Sequence, residues 1–242
     1  MTILKVGRPG FDPAVIIFDK DGTLIDFDAM WGVWVTELAD RLEAGSGLSV
    51  REALFAALGF DAVRGRVRAE GKLAVTPMAT LHTLTIRVMR NCGLAAEAAG
   101  AVVSQAWRVP DPVALARPLA HLPTLFSALQ RDGIRIAVAT TDDRSSTLAT
   151  LAGLGVGQWI DALVCADDGL PVKPAPDMVR AICESLKVPA ARAVVVGDSE
   201  ADMLMGKRAG AGLTVGVLSG LSEIEALRPH ADEVIDSIGG LV

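Results

Sequence analysis

The chain has 242 residues, of which 51% are hydrophobic and 21% are charged, and it carries a formal net charge of −6. This length suits one large domain, or one domain with an insert, because domains usually hold roughly 100–200 residues. The acidic balance gives no sign of a basic surface of the kind that binds nucleic acid, so no nucleic-acid partner is predicted. No apolar run approaches the roughly 18 residues that a membrane span needs, so no membrane partner is predicted.

Cysteine usage and the start of the chain predict a cytoplasmic protein. Cys92, Cys165 and Cys183 are far apart and odd in number, which argues against a disulfide framework or a cysteine metal site. Residues 1–10 contain two basic side chains but no apolar segment typical of a secretory signal. We therefore expect the reducing environment of the cytoplasm.

A short apolar stretch followed by two acids comes next. Residues Val15–Phe18 are all apolar, which predicts a strand buried on both faces. Asp19 and Asp21 follow it, and Gly22 lets the backbone curl around a ligand that they hold. Ligands bind at the carboxyl ends of strands in open α/β sheets. Because neighbouring carboxylates repel each other, the pair predicts a divalent metal, an acid/base role, or both.

Helical patterns dominate the following part of the chain, from residue 27 to about 115. Apolar residues recur there at spacings of three and four, as on one face of a helix. Ser49, followed three residues later by Glu52, predicts a capping box at the start of a second helix. A proline-rich segment at 110–118 predicts a linker at the end of this region.

After this linker the chain alternates strands and helices to its end. Such alternation predicts an α/β fold: a Rossmann-like three-layer core with a central parallel sheet and helices on both faces. The predicted domains are a core of residues 1–26 and 116–242 and an inserted all-helical cap of residues 27–115. The further predicted strands cover residues 134–139, 162–165, 193–196, 213–217 and 233–235.

Polar side chains follow three of these strands. They are Thr140 with Thr141, Lys173, and Asp198 with Asp202. The carboxyl ends of parallel strands open onto one edge of a sheet, so we expect these side chains to meet Asp19 and Asp21 there. Such convergence from distant parts of the sequence is hard to obtain from surface solvation alone.

Four segments of the chain resemble, in order and spacing, the four motifs of the haloacid dehalogenase superfamily. They are Phe18–Leu24, Thr140, Lys173–Asp177 and Gly197–Asp202. The predicted helical insert resembles, in position and helical character, the C1-type cap of the phosphoglycolate phosphatase-like branch. Since the halide-releasing members lack a second acid, the presence of Asp21 favours phosphate chemistry.

The resemblance implies a Mg²⁺-dependent phosphatase acting on a small phosphorylated metabolite, phosphoglycolate or a similar ester. Asp19 would attack phosphorus and form an aspartyl phosphate. Asp21 would protonate the departing alcohol and later deprotonate the hydrolytic water. The Asp19 side chain, the Asp21 backbone carbonyl and Asp198 would hold Mg²⁺.

The resemblance also implies roles for the remaining motif residues. Thr140 would hydrogen-bond a phosphoryl oxygen, and Lys173 would neutralise charge on Asp19 and on the transferring group. Asp202 would orient metal-bound water or Lys173. Further phosphate-binding positions are Gly22, Thr23 and Thr141. Lys20, between the two acids, receives no role.

Two other functions stay open at this point. A phosphomutase of the β-phosphoglucomutase type uses the same core residues but returns the phosphoryl group to the sugar. A non-catalytic phosphate-binding module, such as a receiver-like domain, also combines acids, a threonine and a lysine. The substrate and the choice between monomer and homodimer are not determined by the sequence.

Several other residues have a structural interpretation. The acids after the strands are interpreted as solvated caps or turns: Asp142, Asp143, Asp167 and Asp168. The basic residues of the insert are interpreted as a solvated face rather than a substrate clamp: Arg64, Arg66, Arg68 and Lys72. Trp31, Trp34 and Trp107 are expected in the core of the cap, and His82 in its core or on its surface.

Overall fold

The computed structural model describes residues 6, 11–68, 71–76, 78–108, 111 and 113–242. Two compact units are present, one of Met1–Asp26 with Pro112–Val242 and one of Phe27–Asp111. The second unit thus ends slightly before residue 115, where the sequence places the end of the cap. The predictions about residues 1–10, apart from residue 6, and about Pro110 and Pro112 lie outside the described residues.

The described residues form eight strands and ten α-helices. The strands are β1 Val15–Phe18, β2 Phe60–Asp61, β3 Arg66–Val67, β4 Arg135–Ala139, β5 Ala162–Val164, β6 Ala193–Gly197, β7 Leu213–Val217 and β8 Glu233–Ile235. The helices are α1 Phe27–Ser46, α2 Arg51–Leu58, α3 Lys72–Val75, α4 Met78–Asn91, α5 Ala96–Ala106, α6 Leu122–Arg131, α7 Arg144–Gly153, α8 Asp177–Leu186, α9 Glu200–Ala209 and α10 Ile224–Leu227. None of these helices is long and apolar enough to cross a membrane.

The first unit is built on a six-stranded parallel sheet in the order β5-β4-β1-β6-β7-β8. Strand β1 lies between β4 and β6, and Phe18 is in register with both Val138 and Val196. The residues that directly follow these three strands therefore lie side by side at one edge of the sheet. The predicted parallel sheet is confirmed, with strand bounds shifted by one residue at most.

Helices cover both faces of this sheet. Val15 and Ile17 point to one face, where they pack in a buried cluster with Met178 and Ile182 of α8. Alternate residues point to the other face, where the Phe18 ring lies 5.6 Å from the Phe126 ring of α6. Because successive side chains of a strand point to opposite faces, the sheet is buried on both. The three-layer α/β core is confirmed.

The second unit is helical except for a small antiparallel ribbon formed by β2 and β3. The expectation of an all-helical insert therefore needs this correction. The Asp61 carboxylate accepts hydrogen bonds from the backbone N–H groups of Val63 and Arg64, both at 3.0 Å. Such Asx hydrogen bonds favour a turn over a helix. Arg64 and Arg66 are exposed, which agrees with the interpretation of the basic residues of the insert as a solvated face.

The predicted capping box at Ser49 and Glu52 is wrong. Val50 precedes the first turn of α2 and makes no side-chain cap. Instead, the Glu43 carboxylate of α1 accepts hydrogen bonds from the backbone N–H groups of Val50 and Arg51, both at 3.0 Å. A side chain from the preceding helix thus satisfies donors that the start of α2 leaves unpaired.

Aromatic rings connect α1, α4 and the end of α5. Trp34 is buried, and its ring lies 5.7 Å from Trp31 and 5.2 Å from Trp107 in edge-to-face arrangements. His82 continues the series, with its ring 4.9 Å from that of Trp107. Edge-to-face pairs of this kind add to the stabilisation from burial. The prediction of a core position is therefore confirmed for Trp34, whereas Trp31 and Trp107 are half-buried beside it.

Candidate active site

Three of the predicted site residues follow strands that are neighbours in the sheet. Asp19 follows β1, Thr140 follows β4, and Asp198 follows β6. The Asp19 backbone N–H donates to the Val196 carbonyl at 2.8 Å, which continues the hydrogen bonding between β1 and β6. Asp19, Thr140 and Asp198 are each less than 9% exposed. The sheet therefore holds two acids and a hydroxyl in a largely dry environment.

Lys173, on the loop before α8, brings its ammonium group into this environment. Its Nζ lies 2.5 Å from Asp19 Oδ1 and 2.6 Å from Asp202 Oδ1. Burial alone would lower the pKa of Lys173, but the carboxylates of Asp19 and Asp202 outweigh burial and raise it. The lysine is therefore a permanent cation between two carboxylates.

One lysine does not compensate all of the acids at this site. Burial raises the pKa of Asp19 to about 7; the Lys173 ammonium opposes this rise, while the Asp202 and Asp21 carboxylates add to it. Burial also raises the pKa of Asp198 well above its usual range, with Asp19 and Asp202 as further causes. Two buried carboxyl groups thus carry charge at an energetic cost unless further positive charge is supplied.

Asp198 is enclosed by backbone. The Leu221 N–H donates to Asp198 Oδ2 at 2.8 Å, and two glycines approach the same carboxylate. A Cβ atom would lie 2.4 Å from Asp198 Oδ2 at Gly22 and 1.9 Å from it at Gly220, so neither position has room for a side chain. Gly22 also has a positive φ of 83°, which confirms the predicted curl of the backbone.

Asp202 is fixed by the start of its own helix. Ser199 and Asp202 form a capping box at the N-terminus of α9, in which Ser199 Oγ and Asp202 Oδ2 lie 2.5 Å apart. This leaves Asp202 Oδ1 to face Lys173. One carboxylate therefore both caps a helix and contacts the lysine, and Ser199, to which the motif resemblance assigns no role, is its partner in the cap.

The donor set suits a divalent cation. Asp19, Asp198 and Asp202 each offer a carboxylate oxygen, and these oxygens all lie within 4.8 Å of one another. Three carboxylates and one ammonium leave a formal excess of two negative charges. Carboxylate oxygens are the ligands that Mg²⁺ prefers. Both oxygens of Asp202 are engaged, Oδ2 by Ser199 and Oδ1 by Lys173, whereas Asp19 contacts Lys173 through Oδ1 and Asp198 contacts Leu221 through Oδ2.

The predicted phosphate-binding hydroxyls differ in their surroundings. Thr140 Oγ1 accepts a hydrogen bond from the Asp142 backbone N–H at 3.1 Å, which leaves the hydroxyl hydrogen available for donation. Thr23 is completely buried, and its hydroxyl has no hydrogen-bond partner among the described residues. Thr141 is exposed. The phosphate-binding roles of Thr23 and Thr141 stay predictions.

Lys20, to which the sequence analysis assigned no role, is completely buried. Its Nζ lies 2.7 Å from Asp21 Oδ2 and 3.1 Å from Asp142 Oδ2. Both contacts are ion pairs. Burial would lower the pKa of Lys20, but the Asp21 and Asp142 carboxylates raise it. The sequence feature that could have indicated a role for Lys20 is its place between two acids directly after a buried strand.

The acids interpreted as solvated caps need one correction. Asp142 is a partner of the buried Lys20, because its carboxylate and that of Asp21 lie on the same ammonium group. Asp168 instead pairs with Arg144 through two contacts of 2.7 and 2.5 Å and supports the loop after β5. Asp143 is exposed.

Comparison with known proteins agrees with this geometry. The family model described as haloacid dehalogenase-like hydrolase matches residues 13–210, so the chain belongs to this family. The family resemblance of the four motifs is thereby confirmed. The match includes both units of the chain and ends within the loop that follows α9.

Individual relatives are more distant or are matched only in part. Phosphoglycolate phosphatase of Rhodospirillum rubrum is 38% identical over 106 residues, 44% of this chain and 44% of that protein. "Probable phosphatase IndB" of Dickeya dadantii is 28% identical over 222 residues, 91% of this chain and 88% of that protein. The chain spans only 37% to 47% of the length of the first three curated relatives that it matches.

Solved structures share the fold across nearly the whole chain. The structure of a predicted phosphoglycolate phosphatase from Haemophilus somnus covers 93% of this chain and 95% of its own, with a TM-score of 0.64. The sequences of the two chains are 16% identical, so this likeness concerns the fold alone.

Proposed function

We propose that this chain is a Mg²⁺-dependent phosphatase that hydrolyses a small phosphate monoester through an aspartyl phosphate on Asp19. One observation carries the proposal: Lys173 Nζ lies 2.5 Å from Asp19 Oδ1 while Asp198 and Asp202 crowd the same space. Asp19 is thus a buried carboxylate with one fixed cation beside it, and the site still carries excess negative charge that a further cation would neutralise. Such a site suits nucleophilic attack on an anionic phosphate.

Asp19 is the nucleophile in this proposal. Its carboxylate oxygen forms a bond to phosphorus as the bond from phosphorus to the leaving alcohol breaks. Lys173 lowers the repulsion between the carboxylate and the phosphoryl oxygens, and Thr140 donates its hydroxyl hydrogen to one of these oxygens. All three groups are held by buried strands or by ion pairs, so little reorganisation is needed during the reaction.

Asp21 is the general acid and base. It gives a proton to the leaving alcohol oxygen and later takes one from the water that hydrolyses the aspartyl phosphate. Its Oδ2 contacts Lys20, whereas Oδ1 has no hydrogen-bond partner among the described residues. The Asp21 carboxylate is therefore held through Oδ2, while Oδ1 is buried.

Mg²⁺ would be held by the carboxylates of Asp19 and Asp198 and by the backbone carbonyl of Asp21. When bound, it neutralises negative charge on the nucleophile and on the transferring phosphoryl group. The raised pKa values of Asp19 and Asp198 support this assignment, because both carboxyl groups are destabilised as anions when no further cation is present. Asp202 then serves to orient Lys173.

The proposed substrate is a small phosphorylated metabolite, with phosphoglycolate as the first compound to test. The names of the relatives support the class, since the R. rubrum protein is named for phosphoglycolate and the D. dadantii protein as a phosphatase. We further propose that neither nucleic acid nor a membrane is a partner, that the protein acts in the cytoplasm, and that it is a monomer or homodimer.

The test is release of inorganic phosphate from phosphoglycolate, sugar phosphates and nucleotides, with Mg²⁺ and with a chelator. We expect Mg²⁺-dependent release by the wild type and at least a ~10³-fold loss in Asp19→Asn, because no other group replaces the nucleophile. Asp12→Asn is the matched control, since Asp12 is exposed and pairs with Arg192 at the opposite, amino-terminal edge of the sheet. It should keep wild-type activity.

Two results would contradict the proposal. Release that persists in chelator would exclude the metal requirement, and release by Asp19→Asn would exclude the nucleophile. Interconversion of sugar phosphates without phosphate release would support the phosphomutase alternative instead. If a folded protein catalyses neither phosphate release nor interconversion of sugar phosphates, a non-catalytic phosphate-binding module would be favoured.

A further inference from the structure

Lys20 is the only completely buried lysine in the part of the chain that the structure describes, and the proposed reaction has no use for it. It lies between Asp19 and Asp21 in the sequence, yet its ammonium group contacts Asp21 and not Asp19. Burying an ammonium group is costly unless it is paired. The two carboxylates at 2.7 and 3.1 Å provide this pairing.

The second carboxylate, that of Asp142, is itself held from several directions. Its backbone N–H donates to Thr140 Oγ1 at 3.1 Å, and its backbone carbonyl accepts from the Ala166 N–H at 3.1 Å. Its Oδ1 accepts from the Asp143 N–H at 2.9 Å. Asp142 is therefore a fixed anchor, and it places Lys20 in a defined position.

The geometry points to Lys20 as the positioning residue of Asp21: its ammonium group binds Oδ2 and so fixes the orientation of the carboxylate. This inference rests on the proposed function. The arrangement links the general acid to the hydroxyl of Thr140 through Lys20 and Asp142. Holding one carboxylate oxygen removes rotational freedom from the acid, and correct orientation of an acid is a large part of its effect.

The test compares leaving groups that differ in their need for a proton. An alkyl alcohol leaves poorly without protonation, whereas p-nitrophenolate leaves as an anion. The value of kcat/KM reports the first phosphoryl transfer, in which the proton is given. In Lys20→Met we expect kcat/KM for an alkyl phosphate to fall ~10–100-fold and that for p-nitrophenyl phosphate to change less than ~3-fold, because general acids contribute about 10²–10⁴-fold.

Asp142→Asn provides a second variant, since it keeps Lys20 but weakens its anchor. We expect a smaller loss of the same kind, confined to the alkyl phosphate. Asp143→Asn is the matched control, because it removes the same charge one residue away, and it should resemble the wild type. Equal losses for both substrates in Lys20→Met and Asp142→Asn would indicate a merely structural role and would overturn the inference.

Crystal structures of the wild type and Lys20→Met give a readout that does not depend on activity. We expect the Asp21 carboxylate to rotate in the variant while Asp19 and Lys173 stay in place. An unchanged Asp21 position would overturn the inference. A wild type that releases no phosphate from any ester would contradict the proposed function, and the crystal structures would still decide whether Lys20 positions Asp21.

Discussion

Lys173 Nζ lies 2.6 Å from Asp202 Oδ1, although the lysine precedes α8 and the aspartate lies in the first turn of α9. The other oxygen of Asp202 accepts hydrogen bonds from Ser199. The lysine at the site is thus oriented by the same capping box that begins α9. The capping box at the start of α9 therefore also sets the position of the Lys173 ammonium group beside Asp19.

We expect Asp202→Asn to lower kcat by ~10–100-fold, since loss of an orienting partner typically costs this much. Asparagine keeps the shape of the side chain but removes the charge that holds Lys173. The measurement is steady-state phosphate release. Glu200→Gln is the control, because Glu200 is an exposed residue of the same helix that pairs with His230. Full activity of Asp202→Asn would show that Lys173 needs no such partner.

Gly220→Ala tests the enclosure of Asp198. A Cβ atom at position 220 would lie 1.9 Å from Asp198 Oδ2, so either the carboxylate or the loop must move. We expect the Mg²⁺ concentration for half-maximal thermal stabilisation to rise at least ~10-fold, as expected when a metal ligand is displaced. Isothermal calorimetry of Mg²⁺ binding gives an independent measurement.

Gly157→Ala is the control for this substitution. No atom lies within 4 Å of a Cβ placed at Gly157, which is in a short 3-10 turn away from the site. It should bind Mg²⁺ like the wild type. Unchanged Mg²⁺ binding by Gly220→Ala would remove Asp198 from the ligand set.

Glu43→Ala should lower the free energy of unfolding by ~1 kcal/mol, the usual effect of losing a helix cap. Two backbone N–H groups at the start of α2 would lose the carboxylate that accepts from them. Urea denaturation followed by circular dichroism measures the change. Glu52→Ala is the matched control, because Glu52 is exposed and makes no cap. Equal effects of the two substitutions would contradict the cap at Glu43.

These residues also show what the sequence could predict. Strands β1 and β6 are continuous apolar runs, as is typical of strands that are buried on both faces. The order of the motifs then places Asp19, Thr140 and Asp198 at one edge, because parallel neighbours end together. The core and its acids were therefore predictable from local pattern and topology.

Other features depend on contacts between residues far apart in sequence. The direction of the Lys20 side chain is decided by Asp142, more than 100 residues later, so no local pattern reveals it. The cap of α2 comes from Glu43 rather than from the adjacent Ser49, although both are plausible acceptors by type. The ribbon of β2 and β3 has only two residues in each strand, which are too few to show the alternation of apolar and polar residues that is typical of a strand.

The last prediction concerns pH and metal. The pKa of Asp19 rises from 3.8 to about 7 in the folded, metal-free protein, first because of burial. A carboxyl with a raised pKa binds its proton more tightly when folded, so folding takes up protons between about pH 4 and pH 7. The free energy of unfolding contributed by this group therefore decreases as pH rises through that window.

Substituting Asp19 removes this dependence. Below about pH 4 the Asp19 carboxyl is mostly protonated in both states and resembles the asparagine of Asp19→Asn, so the two proteins should unfold at similar temperatures at the acid end. At pH 7.5 without metal, Asp19→Asn should be the more stable protein, because it carries no buried anion. Added Mg²⁺ should stabilise the wild type at pH 7.5 and reverse the order, since a ligand that binds only the folded state raises the Tm. Thermal unfolding from about pH 3.5 to pH 8, with Mg²⁺ and with chelator, measures both effects. A wild type whose Tm relative to Asp19→Asn does not fall with rising pH would show that the Asp19 charge is already compensated within the chain.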